Sequence, residues 1–332
     1  MKLSIAMASY NGGRFIREQL QSFADQSRPP DEVVICDDGS TDATADIVAE
    51  FAAGAGFEIR FHRNPERLGY ARNFERAILL CRGDIIFLSD QDDVWLPDKL
   101  AKVAAVFEVD PAAQVVANDQ ILTDGALNHD GVTKLGNLRR LGFGPDGLIE
   151  GCCTAFRRGW AELLLPIPSE AQSLIARDLQ SHDRWINELS ILLGVRRMIE
   201  RPLQYFRRYG SNTTDWVVSE PREVGVGDLV AARMKTAPIE GWRDRVKVID
   251  LYLAWLVGKH AEIAAAGGQA DRALAEVARE RRSLEARIAL VQKPLPLRAF
   301  FAARLLASGG YRYFYGWKSA LRDLGRSAGR RG

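Results

Sequence analysis

The chain has 332 residues with a formal net charge of +2, and 47% of its residues are hydrophobic. This length and composition allow a large buried core and a second, smaller domain. No internal repeat or low-complexity tract is present, the opening residues lack the apolar stretch of a signal peptide, and no apolar run is long enough to span a bilayer. The four cysteines fit small buried residues in a reducing compartment, so the sequence predicts a cytoplasmic protein.

The first predicted strand is Leu3–Ala8, followed by a turn at Ser9–Gly13 and a helix over Arg14–Gln26. Apolar residues recur at helical spacing in that helix and predict its buried face. Tyr10 offers a flat ring at the turn, on which a nucleobase can stack. A turn aromatic that simply covers the core fits the same pattern.

A second strand, Glu32–Cys36, leads into an acidic turn at Asp37–Asp42 and a helix over Ala43–Phe51. Gly39 permits a sharp turn, and the Ser, Thr and Asp residues after it are typical helix caps. Capping does not explain why two acids precede the turn. At a strand end, Asp38 is placed to accept hydrogen bonds from a base or a ribose.

The apolar run Asp84–Leu88 predicts a buried strand, and three carboxylates follow it, Asp90, Asp92 and Asp93. Mutual repulsion and desolvation penalise such a cluster unless a cation or solvent neutralises it. Hard cations such as Mg²⁺ or Mn²⁺ are often held by one or two carboxylates together with substrate phosphates. The alternative is a solvated acidic turn that caps the next helix, which begins near Leu96–Asp98.

Together, these motifs resemble family-2 glycosyltransferases of the GT-A fold. The resemblance rests on Ala8–Asn11, Asp37–Asp42, and Asp90–Asp93 followed by Leu96–Leu100, and it covers roughly residues 3–215. The variant Ser89–Trp95 most resembles the rhamnosyltransferase-like branch that builds bacterial surface polysaccharides. The resemblance implies inverting transfer of a sugar from a nucleotide diphosphate-sugar (dTDP-rhamnose or a UDP-hexose) to a hydroxyl of a glycan or lipid-linked acceptor, with Mg²⁺ or Mn²⁺.

The implied architecture is an α/β, three-layer GT-A sandwich with a mainly parallel sheet, followed by a helical C-terminal region. The transferase domain would occupy residues 1–215, with a nucleotide-sugar half over about 1–124 and an acceptor half over about 125–215. Residues 216–332 would form the helical region.

The resemblance also assigns roles to residues. Asp92 would ligate the metal, with Asp93 close behind it. Arg72 matches the family's basic residue near the nucleotide, where a guanidinium suits a diphosphate, although an ordinary surface arginine fits as well. The nucleotide-sugar site would comprise Ala8, Ser9, Tyr10, Asn11, Asp38, Arg72, Asp90, Gln91 and Asp92.

Inverting transfer needs a base that takes the proton of the acceptor hydroxyl. The segment Ser181–Trp185 resembles the family's catalytic motif at the start of an acceptor-side helix, and Asp183 would be the base. A carboxylate favoured in a first helical turn by the macrodipole is the alternative for Asp183. The vicinity of the donor sugar and the acceptor would include Gly151, Cys152, His182 and Trp185.

One departure concerns Tyr209, which stands where the family often has a histidine before a glycine. If that histidine helps to hold the metal or the diphosphate, this chain must use Tyr209, Arg207, Arg208 or water instead.

The C-terminal region reads as long helices over Gly225–Gln292, broken at Gly267–Gly268, and then a basic tail rich in aromatic residues. Residues 293–332 contain nine Lys or Arg and one acid. This composition fits a peripheral contact with the inner face of the cell membrane, and it equally fits a helical hairpin packed on its own domain or on a second subunit in a homodimer. Nucleic acid is not expected as a partner, because no recognisable nucleic-acid-binding fold accompanies the tail.

Two other functions compete with sugar transfer for the same residues. A sugar-1-phosphate nucleotidyltransferase also binds nucleotides on an open α/β sheet, but Asn11–Gly13 is too short for its glycine-rich loop. A catalytically silent nucleotide-sugar-binding scaffold is opposed by the presence of Asp90, Asp92 and Asp183. A dinucleotide-dependent oxidoreductase is disfavoured, since no Gly-x-Gly-x-x-Gly follows the first or second predicted strand.

Overall fold

The computed structural model describes residues 1–171, 174, 181–210, 217–225, 227–228, 238–314 and 316–325. The chain divides into two compact units. The first comprises Met1–Ser169 with Gln180–Lys235, and the second comprises Glu170–Leu179 with Thr236–Gly332. The predicted ends of the transferase region and of its halves, at residues 215 and 124, are functional boundaries and stay predictions.

A sheet of eight strands lies at the centre of the first unit. The strands are β1 (Leu3–Ser9), β2 (Glu32–Asp37), β3 (Glu58–Arg63), β4 (Ile85–Ser89), β5 (Val94–Trp95), β6 (Val115–Thr123), β7 (Thr154–Arg157) and β8 (Arg196–Arg207). Their order is β3-β2-β1-β4-β7-β6-β8-β5. The four strands β3, β2, β1 and β4 are parallel, and β8 is parallel to β6, whereas β7 runs antiparallel to both neighbours and β5 antiparallel to β8. The predicted mainly parallel α/β sheet is confirmed.

Helices connect these strands and cover the sheet. They are α1 (Ile16–Ala24), α2 (Thr44–Ala52), α3 (Tyr70–Leu80), α4 (Lys99–Val109), α5 (Lys134–Arg140), α6 (Arg158–Leu164) and α7 (His182–Leu192). A short 3₁₀ turn, Gly151–Cys153, precedes β7. Helix α3 begins directly after Gly69, whose φ of 79° is a conformation that glycine adopts without strain.

The core forms because the central strands are apolar on both faces, as expected for parallel strands covered on both sides. The predicted helical face of α1, with Ile16, Leu20 and Phe23, packs into the same cluster as Phe87 of β4 and Trp95 of β5. The Phe23 and Trp95 rings meet edge to face, with centroids 4.7 Å apart. Each of these buried side chains stabilises the fold by roughly 1.5–3 kcal/mol.

The register of the parallel strands positions the candidate site. Ser9 of β1 pairs with Asp37 of β2, and Met7 of β1 pairs with Ser89 of β4. The residues that follow these three strands therefore emerge at one edge of the sheet, where open α/β sheets bind ligands.

The second unit is helical. Its helices are α8 (Pro238–Gly258), α9 (His260–Ala265), α10 (Ala270–Val291), α11 (Leu295–Ala307) and α12 (Trp317–Gly325), with a 3₁₀ turn at Gly310–Tyr313. The predicted break at Gly267–Gly268 is confirmed, and Gly267 has a φ of 83°. Within the predicted helical stretch from Gly225, residues 226 and 229–237 lie outside the described residues, as do 315 and 326–332 of the tail.

A buried ion pair ties the tail to α10. The Arg287 guanidinium donates to both carboxylate oxygens of Asp323, and the Tyr311 hydroxyl donates to the same carboxylate at 3.0 Å. The guanidinium also lies 4.2 Å from the Trp242 ring centroid and 4.4 Å from that of Phe314. Among the described residues, no helix is long and apolar enough to cross a membrane.

Candidate active site

Hydrogen bonds join the turns that follow β1, β2 and β4. The Tyr10 backbone N–H donates to Gln91 Oε1 at 2.9 Å, and the Gln91 side-chain amide donates back to the Tyr10 carbonyl at 3.1 Å. The Asn11 N–H donates to Ser40 Oγ at 2.8 Å, and its side-chain oxygen accepts from the Thr41 N–H. The predicted residues Tyr10, Asn11 and Gln91 are thus brought together, and Asn11 acts in the turn itself.

The Asp38 carboxylate fixes a loop. Its two oxygens accept hydrogen bonds from the backbone N–H groups of Leu68 at 2.7 Å and Gly69 at 2.9 Å, and from the Asn64 side-chain amide at 2.9 Å. Asp38 itself is buried. Its carboxylate therefore orders the segment that enters α3, alongside the nucleotide role predicted for it.

An arginine covers the exposed ring of Tyr10. The Arg67 guanidinium carbon lies 4.0 Å from the ring centroid, a distance typical of a cation–π contact. Arg67 belongs to the loop that Asp38 holds, so the ring and the guanidinium form one flat, cationic surface at the strand ends.

Acidic residues lie together behind this edge. One ligand atom each of Asp90, Asp93 and Cys152 lies within 4.8 Å of the other two. Burial raises the pKa of Asp90 to about 7, and the charges of Asp92 and Asp183 act in the same direction. Burial and the charges of Asp92 and Asp90 raise the pKa of Asp93 well above its usual value. Such a cluster favours the approach of a cation.

Asp92 is held from the far end of β8. The Tyr209 hydroxyl donates to the Asp92 carboxylate, and Arg207 Nε donates to the Asp92 carbonyl at 2.8 Å. Burial and the Asp92 charge raise the pKa of Tyr209, which keeps its hydroxyl protonated and able to donate. Tyr209 thus contacts the acidic turn at the position where a histidine was expected from the resemblance.

A buried lysine donates hydrogen bonds to residues that surround the acidic cluster. Lys99 Nζ donates to the Cys152 carbonyl at 2.9 Å and to Gln204 Oε1 at 2.5 Å, and the Gln204 amide donates to Asp93 at 3.2 Å. Burial lowers the pKa of Lys99 to about 8. No role was predicted for Lys99 or Gln204, because their partners come from distant parts of the chain.

Gly151 brings the start of α7 against the strand that carries the acids. A methyl group at Gly151 would lie 2.9 Å from His182 Nε2, 3.3 Å from Asp183 Cβ and 3.4 Å from Leu88 Cδ1 of β4. Only a residue without a side chain fits this contact. The predicted base Asp183 is therefore close to the acidic cluster, since its charge acts on Asp90.

The start of α7 is a well-formed N-terminus. The Ser181 side chain caps the helix by accepting from the Arg184 N–H, and its hydroxyl contacts the Asp183 carboxylate. The Asp183 carboxylate also accepts from the Arg184 N–H at 2.8 Å. Helix geometry therefore fixes the direction of this carboxylate, as the capping alternative requires and as a positioned base also requires.

His182 is buried and stacks on Phe74, with ring centroids 4.1 Å apart and an interplanar angle of 18°. Burial lowers the pKa of His182, which favours the neutral imidazole. Its Nδ1 has no hydrogen-bond partner among the described residues. The His182 ring thus lies beside Gly151, and the role predicted for it near the donor sugar and the acceptor stays a prediction.

Two predicted site residues have other partners in the structure. Arg72 Nη1 lies 2.8 Å from the Glu75 carboxylate and 3.2 Å from the Ile167 carbonyl. The Trp185 indole N–H donates to the Leu164 carbonyl at 2.8 Å, and its ring lies in the core. The roles predicted for Arg72 at the nucleotide and for Trp185 near the acceptor stay predictions.

Residues 4–164 match the family model described as Glycosyl transferase family 2. The match covers just under half of the chain and shows a likeness to that family over these residues. An uncharacterised glycosyltransferase of a Nostoc species is 27% identical over 229 residues, covering 64% of this chain and 66% of that protein. The dTDP-rhamnosyl transferase RfbG of Shigella flexneri is 40% identical over 98 residues, covering 28% of this chain and 34% of RfbG. The chain thus spans less than two thirds of the length of these relatives.

Solved structures of similar fold place this chain in a fold class. TarS 1–349 of S. aureus in complex with UDP-GlcNAc is similar with a TM-score of 0.54 at 15% sequence identity, covering 98% of this chain and 89% of that chain. The complex of the same protein with UDP gives a TM-score of 0.53. The fold is therefore GT-A-like, with a helical C-terminal region.

Proposed function

We propose that this glycosyltransferase moves a sugar from a nucleotide diphosphate-sugar to an acceptor hydroxyl with inversion at the anomeric carbon. The observation that carries the proposal is the Asp183 carboxylate at the N-terminus of α7, packed across Gly151 from the acidic end of β4. A single inverting displacement needs a carboxylate on one side of the sugar and a diphosphate site on the opposite side.

In this reaction Asp183 accepts the proton of the acceptor hydroxyl while that oxygen attacks the anomeric carbon. The bond from the anomeric carbon to the diphosphate breaks, and the nucleoside diphosphate leaves with its electron pair. Ser181 and the Arg184 N–H orient the carboxylate. Little conformational entropy is therefore lost when the carboxylate takes the proton of the acceptor hydroxyl.

The nucleotide would lie at the edge formed by the first strand ends. The Tyr10 ring would give a base a flat surface, and the Arg67 guanidinium beside it is a cation suited to a diphosphate. The proposed nucleotide-sugar site also includes two residues at the end of β1, Ala8 and Ser9. Its remaining members are Asn11, Asp38, Arg72, Asp90, Gln91 and Asp92. Asp38 serves this site mainly by ordering the Leu68–Gly69 segment.

The residues fit a hard divalent cation, Mg²⁺ or Mn²⁺, because the cluster offers carboxylate oxygens. A hydrogen bond with Cys153 and burial raise the pKa of the Cys152 thiol well above its usual value, and the carboxylate oxygens beside it are the harder ligands that such a cation prefers. We propose that Asp92 and its acidic neighbours hold the cation. When bound, it would neutralise the charge of the diphosphate.

The donor is proposed to be dTDP-rhamnose or a UDP-hexose, and the acceptor a glycan or lipid-linked sugar of bacterial surface polysaccharide. Support for the rhamnosyl branch comes from RfbG, which is named a dTDP-rhamnosyl transferase, and support for a uridine donor comes from TarS, solved with UDP-GlcNAc.

Thermal unfolding against a panel of nucleotides tests the donor site. The panel contains UDP, dTDP, UDP-GlcNAc and dTDP-rhamnose, each with and without Mn²⁺, and NADH as a control from the oxidoreductase class. A ligand at 100 times its dissociation constant adds about 2.7 kcal/mol of stability. We expect a shift with a diphosphate that grows with Mn²⁺. No shift with any nucleotide, or one with NADH alone, would contradict the proposal.

A further inference from the structure

The outward side of α11 is apolar. Its inward residues pack in the second unit's core, whereas Leu295, Leu297 and Phe300 are exposed, the last with 63% of its surface accessible. Leu306, the residue before the last of this helix, is also exposed, and Arg304 supplies the single exposed charge of the helix. A helix that is apolar on both sides is expected where its outer side has a partner.

The exposed side of α12 carries both apolar and cationic side chains. Trp317 and Leu321, one turn apart, have 59% and 57% of their surface exposed, and Lys318 and Arg322 lie beside them at the same spacing. The opposite side of α12 is buried, with Ala320 in the unit's core. A tryptophan and a leucine flanked by cations are typical of a helix that lies in a membrane interface.

Exposed apolar residues concentrate in this segment. Of the thirteen large hydrophobic residues that are exposed among the described residues, six lie between Leu295 and Leu321. Single exposed hydrophobic residues are ordinary, but a group of six within 27 residues is not. We call these six residues, together with Arg304, Lys318 and Arg322, the exposed face of α11 and α12.

No negative charge is exposed within this segment. The one acid of the described part of residues 293–325 is Asp323, which is fully buried and paired with Arg287. Arg304, Lys318 and Arg322 are all exposed. The exposed face therefore carries one sign of charge, which complements a negatively charged surface.

We infer that the exposed face of α11 and α12 binds the surface of a bilayer that contains anionic phospholipid. The apolar side chains would enter the acyl boundary, and the three cations would face the headgroup phosphates. Since no helix among the described residues can cross a membrane, the contact is peripheral. This inference does not depend on sugar transfer.

Co-sedimentation of the full chain with vesicles tests the inference. Vesicles of phosphatidylcholine with 30% phosphatidylglycerol are compared with pure phosphatidylcholine, at about 50 mM and 500 mM salt. We expect binding to the anionic vesicles that weakens in high salt, where the Debye length falls to a few ångströms.

Matched variants locate the contact. Trp317→Gln with Leu321→Gln should weaken binding about ten-fold or more, because two apolar side chains no longer enter the bilayer. The control Leu79→Gln changes an exposed leucine of α3 in the first unit and should bind normally. Lys318→Ser with Arg322→Ser should weaken binding about five-fold for each cation removed. All four positions are exposed, so the variants should unfold at the wild-type temperature.

Three results would overturn the inference. One is wild-type binding that is the same for pure phosphatidylcholine and for anionic vesicles. Another is unchanged binding by the Trp317 and Leu321 variant. The third is a concentration-dependent dimer that the same variant abolishes while no vesicle binding occurs, which would assign the face to a second copy of the chain.

Discussion

At the scale of single residues, Gly151 decides where the predicted base stands. It is the point at which α7 touches the strand that carries the acids, and its neighbours are a buried imidazole and the Asp183 side chain. Neither can retreat easily, since His182 is stacked on Phe74 and Asp183 is held by the helix cap.

We therefore expect Gly151→Ala to displace Asp183 and to lower the rate of sugar transfer by at least ten-fold, while donor binding is retained. Overpacking of a close contact costs about 1–3 kcal/mol of stability. The control is Gly159→Ala in α6, where a methyl group would meet no atom within 4 Å. A Gly151→Ala enzyme with the wild-type rate and stability would show that this contact does not position the base.

The raised pKa of Asp90, about 7, has a consequence for stability. In the unfolded chain this carboxyl ionises near its usual pKa, so the folded state loses stability as the pH rises from there through 7. Asp90→Asn should thus stabilise the metal-free protein more at pH 8 than at pH 5, because only part of this loss has occurred at pH 5.

Thermal unfolding in the presence of a chelator measures this difference, and Mn²⁺ should stabilise the wild type more than the variant. An Asp90→Asn protein that is less stable than the wild type at pH 8 would contradict the electrostatic account of the cluster.

At the scale of elements, the loop between β3 and α3 depends on Asp38. Asp38→Asn leaves one amide oxygen in place of two acceptors, so at least one of the N–H groups of Leu68, Gly69 and Asn64 loses its partner. An unsatisfied buried donor costs about 1–3 kcal/mol. We expect lower stability, faster hydrogen exchange over residues 64–69, and weaker nucleotide binding. The control Asp46→Asn removes an exposed carboxylate of α2 and should change none of these. Unaltered exchange in the loop would show that Asp38 does not order it.

The elements were largely predictable from the sequence. Strands β1, β2 and β4 are short apolar runs that end in polar turns, and α1 has a clear helical face, so local patterns suffice for them. Tyr10 and Gln91 contact each other because they follow parallel strands that end at the same edge of the sheet. What could not be predicted is contact at long separation: Lys99 with Gln204, or Tyr209 with Asp92, joins residues more than a hundred positions apart. A lysine among apolar helix residues gives no sign that it is buried beneath a carboxylate cluster.

At the scale of the whole molecule, different interactions stabilise the two units. The first is held by a sheet with a large apolar core, whereas the second relies on helix packing around the Arg287–Asp323 pair. Although the tail is basic, its Arg298 is buried and donates to the Lys293 and Asp323 carbonyls.

Removing one partner of a buried ion pair leaves an uncompensated charge, which typically costs about 3–5 kcal/mol. We expect Asp323→Asn to destabilise the second unit by about this amount, seen as faster hydrogen exchange in α10 and α12. Asp271→Asn, at an exposed carboxylate of α10, serves as the control. Equal exchange in the two variants would contradict the structural role of the pair.

The central claim is that Asp183 is the base for sugar transfer, and one substitution tests it most directly. In Asp183→Asn the side chain keeps its shape, and the Ser181 cap remains. Transfer from the preferred nucleotide sugar is measured together with donor affinity, and Glu188→Gln in the same helix controls for loss of charge. We predict that transfer falls by about 10²–10⁴-fold with donor affinity and folding preserved. Near-normal transfer by Asp183→Asn would contradict the claim and leave His182 as the next candidate.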